Sequence, residues 1–180
     1  MEDKKTQLLE LIKREAVFKG NFVLASGKES SYYLDLRLIT LNPEGAYLIA
    51  EVLFDLLTCE DVDFLGGLTL GADPICGAFS AISYLKGKPI PSFIVRKEEK
   101  KHGKTKAIEG PLRKGARVAI VDDVATSGGS LLRAINAVKE QACEIVSIIV
   151  IVDREEGAKE KLAEEGYMLL SIFNKKDLGL

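Results

Sequence analysis

With 180 residues, 47% of them hydrophobic and 29% charged, the chain can bury a core as one domain and is too apolar for a disordered segment. No apolar run approaches the ~20 residues that cross a bilayer, and a net charge of −2 lacks the basic excess of proteins that bind nucleic acid over their whole surface. The opening MEDKKTQLLE is charged rather than signal-like, so a cytoplasmic location is expected. Cys59, Cys76 and Cys143 are odd in number and widely spaced, which predicts buried free thiols rather than a disulfide framework or a zinc site.

Residues 4–17 place Leu8, Leu11, Ile12 and Glu15 at helical spacing and predict an amphipathic helix. Two strands follow, near 21–26 and 32–38, separated by the turn-rich SGKESS. Asn42-Pro43 opens a helix, asparagine as cap and proline in the first turn, running to about Thr58. Alternation then sets in: strand 62–67, helix 74–85, strand 89–95, a charged stretch, strand 117–124, helix 129–141, strand 144–152, helix 157–165 and strand 167–173. Strands that are apolar throughout suit a parallel sheet covered on both faces. The expectation is therefore an α/β fold, a doubly wound and mostly parallel sheet flanked by helices, with ligands at the carboxyl ends of its strands.

The stretch VAIVDDVATSGGSL (118–131) concentrates the chemistry. An apolar strand ends in Asp122 and Asp123, and Val124, Ala125, Thr126, Ser127, Gly128, Gly129 and Ser130 lead into a helix. Unpaired amides at a helix start hold anions, glycines let the backbone approach closely, and hydroxyls donate, so the loop suits a phosphate ester. The two carboxylates repel phosphate and suit ribose hydroxyls, a magnesium ion or a developing carbocation. A plain strand–turn–helix with a serine cap is the competing reading. The chain contains neither a Walker loop nor a GxGxxG fingerprint. Positive charge is concentrated in RKEEKKHGK (96–104), five basic residues and the single histidine against two acids, which by itself also fits an ordinary solvated loop.

VAIVDDVATSGGSL resembles the phosphoribosyl pyrophosphate signature of type I phosphoribosyltransferases. FVLASGKESSYYLDLR (22–37), VRKEEKKHG (95–103) and VDREEGA (152–158) resemble the hood, the flexible loop and the arginine-bearing strand end of orotate phosphoribosyltransferases, in matching order across the chain. The resemblance implies a small N-terminal hood, about 1–40 plus the C-terminal segment, on a core of about 43–165 within a single domain. It implies Asp122 and Asp123 as catalytic acids, with Lys100 and His102 in a loop that closes over the leaving pyrophosphate. It also implies substrate contacts from Arg96, Lys97, residues 124–130 and Arg154, the last gripping the orotate carboxylate with a bidentate fork that lysine cannot reproduce. Read alone, Arg154 is first of all a strand-end arginine paired with Asp153 or Glu156.

The implied cofactor is Mg2+, bound mainly through substrate oxygens, and the implied assembly is a homodimer whose loop 96–104 reaches the neighbouring site. Nucleic acid and membrane are not expected partners. Gly66 to Pro74 would cradle pyrophosphate in its amides. Tyr32 and Tyr33 either lie beside the base or are alternating strand residues. Two departures stand out: Ala25 where many members carry lysine, and Leu70-Gly71 where bacterial members often have Tyr-Lys; Lys28 is a candidate to offset the first. Transfer to another base, or phosphoribosyl pyrophosphate sensing without catalysis, are the alternative functions.

Overall fold

Strand and helix alternate through most of the chain in this computed structural model, which describes residues 2–23, 29–97 and 107–180. The elements are α1 (Glu2–Glu15), β1 (Val17–Val23), β2 (Glu29–Leu34), α2 (Arg37–Thr40), α3 (Pro43–Leu57), β3 (Phe64–Leu68), α4 (Ala72–Leu85), β4 (Ser92–Val95), β5 (Ile108–Glu109), β6 (Arg117–Ala125), α5 (Gly129–Glu140), β7 (Glu144–Asp153), α6 (Ala158–Glu164) and β8 (Leu170–Asn174). The central sheet runs β5-β4-β3-β6-β7-β8. Its strands are parallel except β5, which pairs antiparallel with β4. β1 and β2 form a separate antiparallel hairpin.

Both faces of the sheet are buried, as unbroken apolar strands require. Along β6, Ala119 and Val121 pack into one cluster with α1, α3 and α4, while Val118 and Ile120 pack into another with α5 and α6. α3 starts where expected: Asn42 Oδ1 accepts from the amides of Glu44 (2.9 Å) and Gly45 (3.2 Å), and Pro43 occupies the first turn.

Three sequence expectations are corrected. The second strand stops at Leu34 rather than 38, because Asp35 Oδ1 accepts from the Arg37 amide at 3.1 Å and turns the chain into α2. Gly66 and Gly67 belong to β3, so only Thr69 to Gly71 form the loop before α4. Of the three free cysteines only Cys76 is buried; Cys59 is exposed and Cys143 partly so. Burial pushes the Cys76 thiol up to about 12, which keeps it protonated and unreactive.

α1, α3 and α4 are joined by one buried charge. The side chain of Glu51, 6% exposed, accepts from Lys4 and, at 3.0 Å, from Lys86. A buried carboxylate stripped of all its cations costs ~3–5 kcal/mol, whereas one remaining partner still compensates it. The double substitution K4M/K86M is therefore expected to destabilise by well over the sum of the two single changes, read as a double-mutant cycle in urea unfolding. Additive losses would show that Glu51 does not depend on the pair.

Candidate active site

The sheet changes winding direction between β3 and β6, from which the chain proceeds to β4 on one side and to β7 and β8 on the other. Such a switch point opens a crevice beyond the strand ends. Its depth here follows from register. β3 pairs with β6 only from Phe64↔Val118 to Gly66↔Ile120, while β6 stays paired with β7 as far as Ala125↔Asp153. Beyond Ile120 one edge of β6 is therefore uncovered, and it carries Asp122 and Asp123.

Two adjoining hollows, of about 430 and 360 Å³, lie against this edge and share Leu68, Lys97, Asp122, Val124, Thr126 and Ser130. The first is walled by the loop from Ala125 through Leu131 and by Arg133. Gly128 caps α5 in the left-handed region, φ 77°, where a side chain is strained. Among the described residues no turn or loop carbonyl accepts from the amides of Ser127 or Gly128, and Gly129 and Ser130 open α5, where the first amides of a helix have no intrahelical acceptor. These are the orphan donors of a helix start, and they suit an anion.

The second hollow is walled by Asp123, by Leu34 to Arg37, by Thr69 to Gly71 and by Arg154. Gly71 lies tight against the acids: a Cβ there would fall onto the Asp122 carboxylate and 2.6 Å from Asp123 Oδ1. The glycine is thus required by the close approach of the loop to the acidic pair. Thr69 Oγ1 donates to Asp73 Oδ2 at 2.7 Å and pins the far side of the same turn.

Asp122 is 6% exposed, and its Oδ1 accepts from the Asp123 amide at 3.0 Å. Asp123 Oδ1 in turn accepts from the Val124 amide at 2.8 Å. Burial first, and the adjacent Asp123 charge second, push the Asp122 carboxyl up to about 8, with Lys97 opposing the shift. A cation or hydroxyl donor beside such a carboxyl favours its ionised form.

Arg154 stands at the end of β7, where its amide donates to Ala125 O at 3.0 Å. Its side chain, 12% exposed, donates from Nη2 to Glu156 Oε1 at 2.8 Å. The expected ion pair with Glu156 is present, and the same guanidinium lines the second hollow.

A profile of the phosphoribosyl transferase domain matches residues 75–174, more than half of the chain. An orotate phosphoribosyltransferase of Streptomyces avermitilis is 45% identical over 181 residues, covering 100% of both chains. The chain belongs to the orotate phosphoribosyltransferase family. A relative of the same description from Rhodopseudomonas palustris is 43% identical, covering 96% of this chain and 95% of its own. The crystal structure of Mycobacterium tuberculosis H37Rv orotate phosphoribosyltransferase in complex with 5-phospho-alpha-D-ribosyl 1-diphosphate superposes with a TM-score of 0.83 at 38% identity, over 98% of this chain and 99% of that one.

Within this family member the structure gathers Lys97, Asp122 to Ser130 and Arg154 around one cleft. Arg96 does not line it; its guanidinium bonds Glu109, with Nε to Oε1 at 2.8 Å. Lys100, His102, Ala25 and Lys28 lie outside the described residues. Tyr33 packs on Phe18 and Phe22, whereas Tyr32 lies under Arg154. Sequence reasoning missed Arg37 and Arg133. Arg37 lines the second hollow with its fork on Asp35, at 2.8 and 2.9 Å. Arg133 falls one helical turn after Gly129, a spacing that places it on the loop's side of α5 and could have been read in advance.

The acidic pair carries a stability consequence. The folded pKa of Asp122 lies above its unfolded value of about 3.9, so the native state binds the extra proton and loses stability as pH rises from there to about 8. Asp122→Asn is expected to leave the melting temperature almost unchanged near the lower limit and to raise it most at the upper one. A gain independent of pH would remove the buried charge as its cause. Gly71→Ala, which drives a methyl group into both carboxylates, is expected to lower turnover at least ~10-fold while the fold survives, checked by circular dichroism beside the assay.

Proposed function

We propose that the chain transfers the 5-phosphoribosyl group from phosphoribosyl pyrophosphate to orotate, giving orotidine 5′-phosphate and pyrophosphate, in pyrimidine nucleotide synthesis. The observation that carries this reading is the acidic pair, Asp122 buried and Asp123 half-buried, on the stretch of β6 that β3 no longer pairs, set between open helix-start amides on one side and Arg154 on the other.

In this reading the amides and hydroxyls of Thr126 to Ser130 grip the 5′-phosphate. Asp122 and Asp123 hold the ribose hydroxyls and offset positive charge as the bond from the anomeric carbon to the pyrophosphate oxygen breaks. A ring nitrogen of orotate attacks that carbon with inversion, its carboxylate on Arg154. Lys97 faces the departing pyrophosphate, and stabilising charge where it develops is typically the largest catalytic term. Arg96, Lys100 and His102 complete the assignment as residues of a loop that closes over the site and reaches the neighbouring subunit of a homodimer. The enzyme would act in the cytoplasm.

Magnesium fits the donor set. Asp122 and Asp123 offer hard carboxylate oxygens at the cleft, and among the described residues no group of three or more His, Cys, Asp or Glu side chains could hold an ion by themselves. The pair would therefore face the ion together with pyrophosphate and ribose oxygens, and when bound the ion neutralises charge on the leaving group.

The experiment is steady-state turnover with magnesium and phosphoribosyl pyrophosphate, following loss of orotate absorbance, with uracil, adenine and hypoxanthine in parallel. Orotate is expected to be the preferred base, and a preference for another would overturn the reading. Asp123→Asn is expected to cut turnover at least ~100-fold if its carboxylate stabilises the transition state.

A further inference from the structure

Four buried side-chain polar atoms have no hydrogen-bond partner among the described residues, and two of them, Tyr32 Oη and Arg154 Nε, belong to one contact. The Arg154 guanidinium carbon lies 5.0 Å from the centroid of the Tyr32 ring, and Lys175 Nζ lies 5.3 Å from the same centroid. Tyr32 is 6% exposed and is anchored in β2, while Arg154 ends β7 and Lys175 follows β8. One ring therefore joins three separate segments, and one of them brings Arg154 to the wall of the second hollow.

We infer that Tyr32 is a positioning residue that sets Arg154 for a base bearing a carboxylate, an inference that rests on the proposed assignment of Arg154 to the base. A guanidinium laid on an aromatic ring is held through its face, while its hydrogen-bond donors project from its edge. The ring thus restrains the guanidinium without consuming a donor. Glu156 occupies Nη2, and Nε is buried without an acceptor among the described residues. A second cation, Lys175, over the same ring adds positive potential that favours an anionic base over a neutral one. The operative part of Tyr32 is its π face, since its hydroxyl has no partner among the described residues.

The test measures kcat and both KM values on the full chain carrying Tyr32→Phe, Tyr32→Leu, and phenylalanine at position 32 fluorinated stepwise, which weakens the π face at nearly constant shape. Tyr32→Leu is expected to raise the orotate KM about tenfold, with kcat and the phosphoribosyl pyrophosphate KM held within about twofold, and Tyr32→Phe to match the unsubstituted chain. The fluorinated series is expected to raise the orotate KM step by step, which serves even where the leucine variant folds poorly. An orotate KM indifferent to fluorination overturns the inference, as does a phenylalanine variant as impaired as the leucine one, because the hydroxyl would then be the acting group. Absence of orotate turnover in the unsubstituted chain overturns the functional reading and this inference together; normal turnover with a flat series overturns the inference alone.

Discussion

A buried carboxylate, Asp122, set directly beside a half-buried one, Asp123, is the constraint around which this molecule is arranged. Desolvation first, and the neighbouring Asp123 charge second, disfavour ionisation of Asp122, which keeps its proton above the usual carboxylate range. What holds the pair in place is the backbone. The amide of Asp123 bonds Asp122, that of Val124 bonds Asp123, and β6 remains laddered to β7 beneath both. The site is thus built at some cost to stability, which the double-faced apolar core offsets.

The same strand explains why the cleft has two halves. Leaving β3 behind at Ile120 exposes one edge of β6, and continuing into a left-handed glycine turns the chain so that the first amides of α5 look into the opening. An anion site and an acidic site therefore share one short segment yet stay apart, separated by the few residues from Val124 to Ser127. A sugar phosphate has this polarity: phosphate at one end, hydroxyls and an anomeric carbon at the other. The glycine at position 71 completes the arrangement from the β3 side, where a lysine would have to displace the acids in this conformation.

Arg154 shows how a structural ion pair and a binding role coexist. Its contact with Glu156 is the ordinary pairing expected of a strand-end arginine, and a pair so close to solvent contributes little by itself. Burial against Tyr32 changes the matter, because a guanidinium denied water needs an acceptor for every donor and Nε has none among the described residues. The clip of Glu51 with Lys4 and Lys86 is the contrasting case, in which the buried charge has partners from α1 and α4 and serves cohesion alone.

Much of this was legible in the chain itself. Unbroken apolar strands alternating with helices imply a parallel sheet buried on both faces, since such a sheet tolerates residues like those of 118–121 and 148–152 on every position. The run from Asp122 to Ser130 discloses its chemistry because acids, hydroxyls and glycines adjacent in sequence stay adjacent in space. Other features depend on distances between segments that sequence order does not encode. The end of the β3–β6 ladder at Ile120, the seating of Gly71 on the acids, the withdrawal of Arg96 onto Glu109 and the stacking of Tyr32 under Arg154 all arise from packing of remote elements. Local pattern and residue chemistry determined the fold class and the phosphate-binding segment; only tertiary packing decided which distant side chains share that cleft, because burial and register are properties of the assembled sheet.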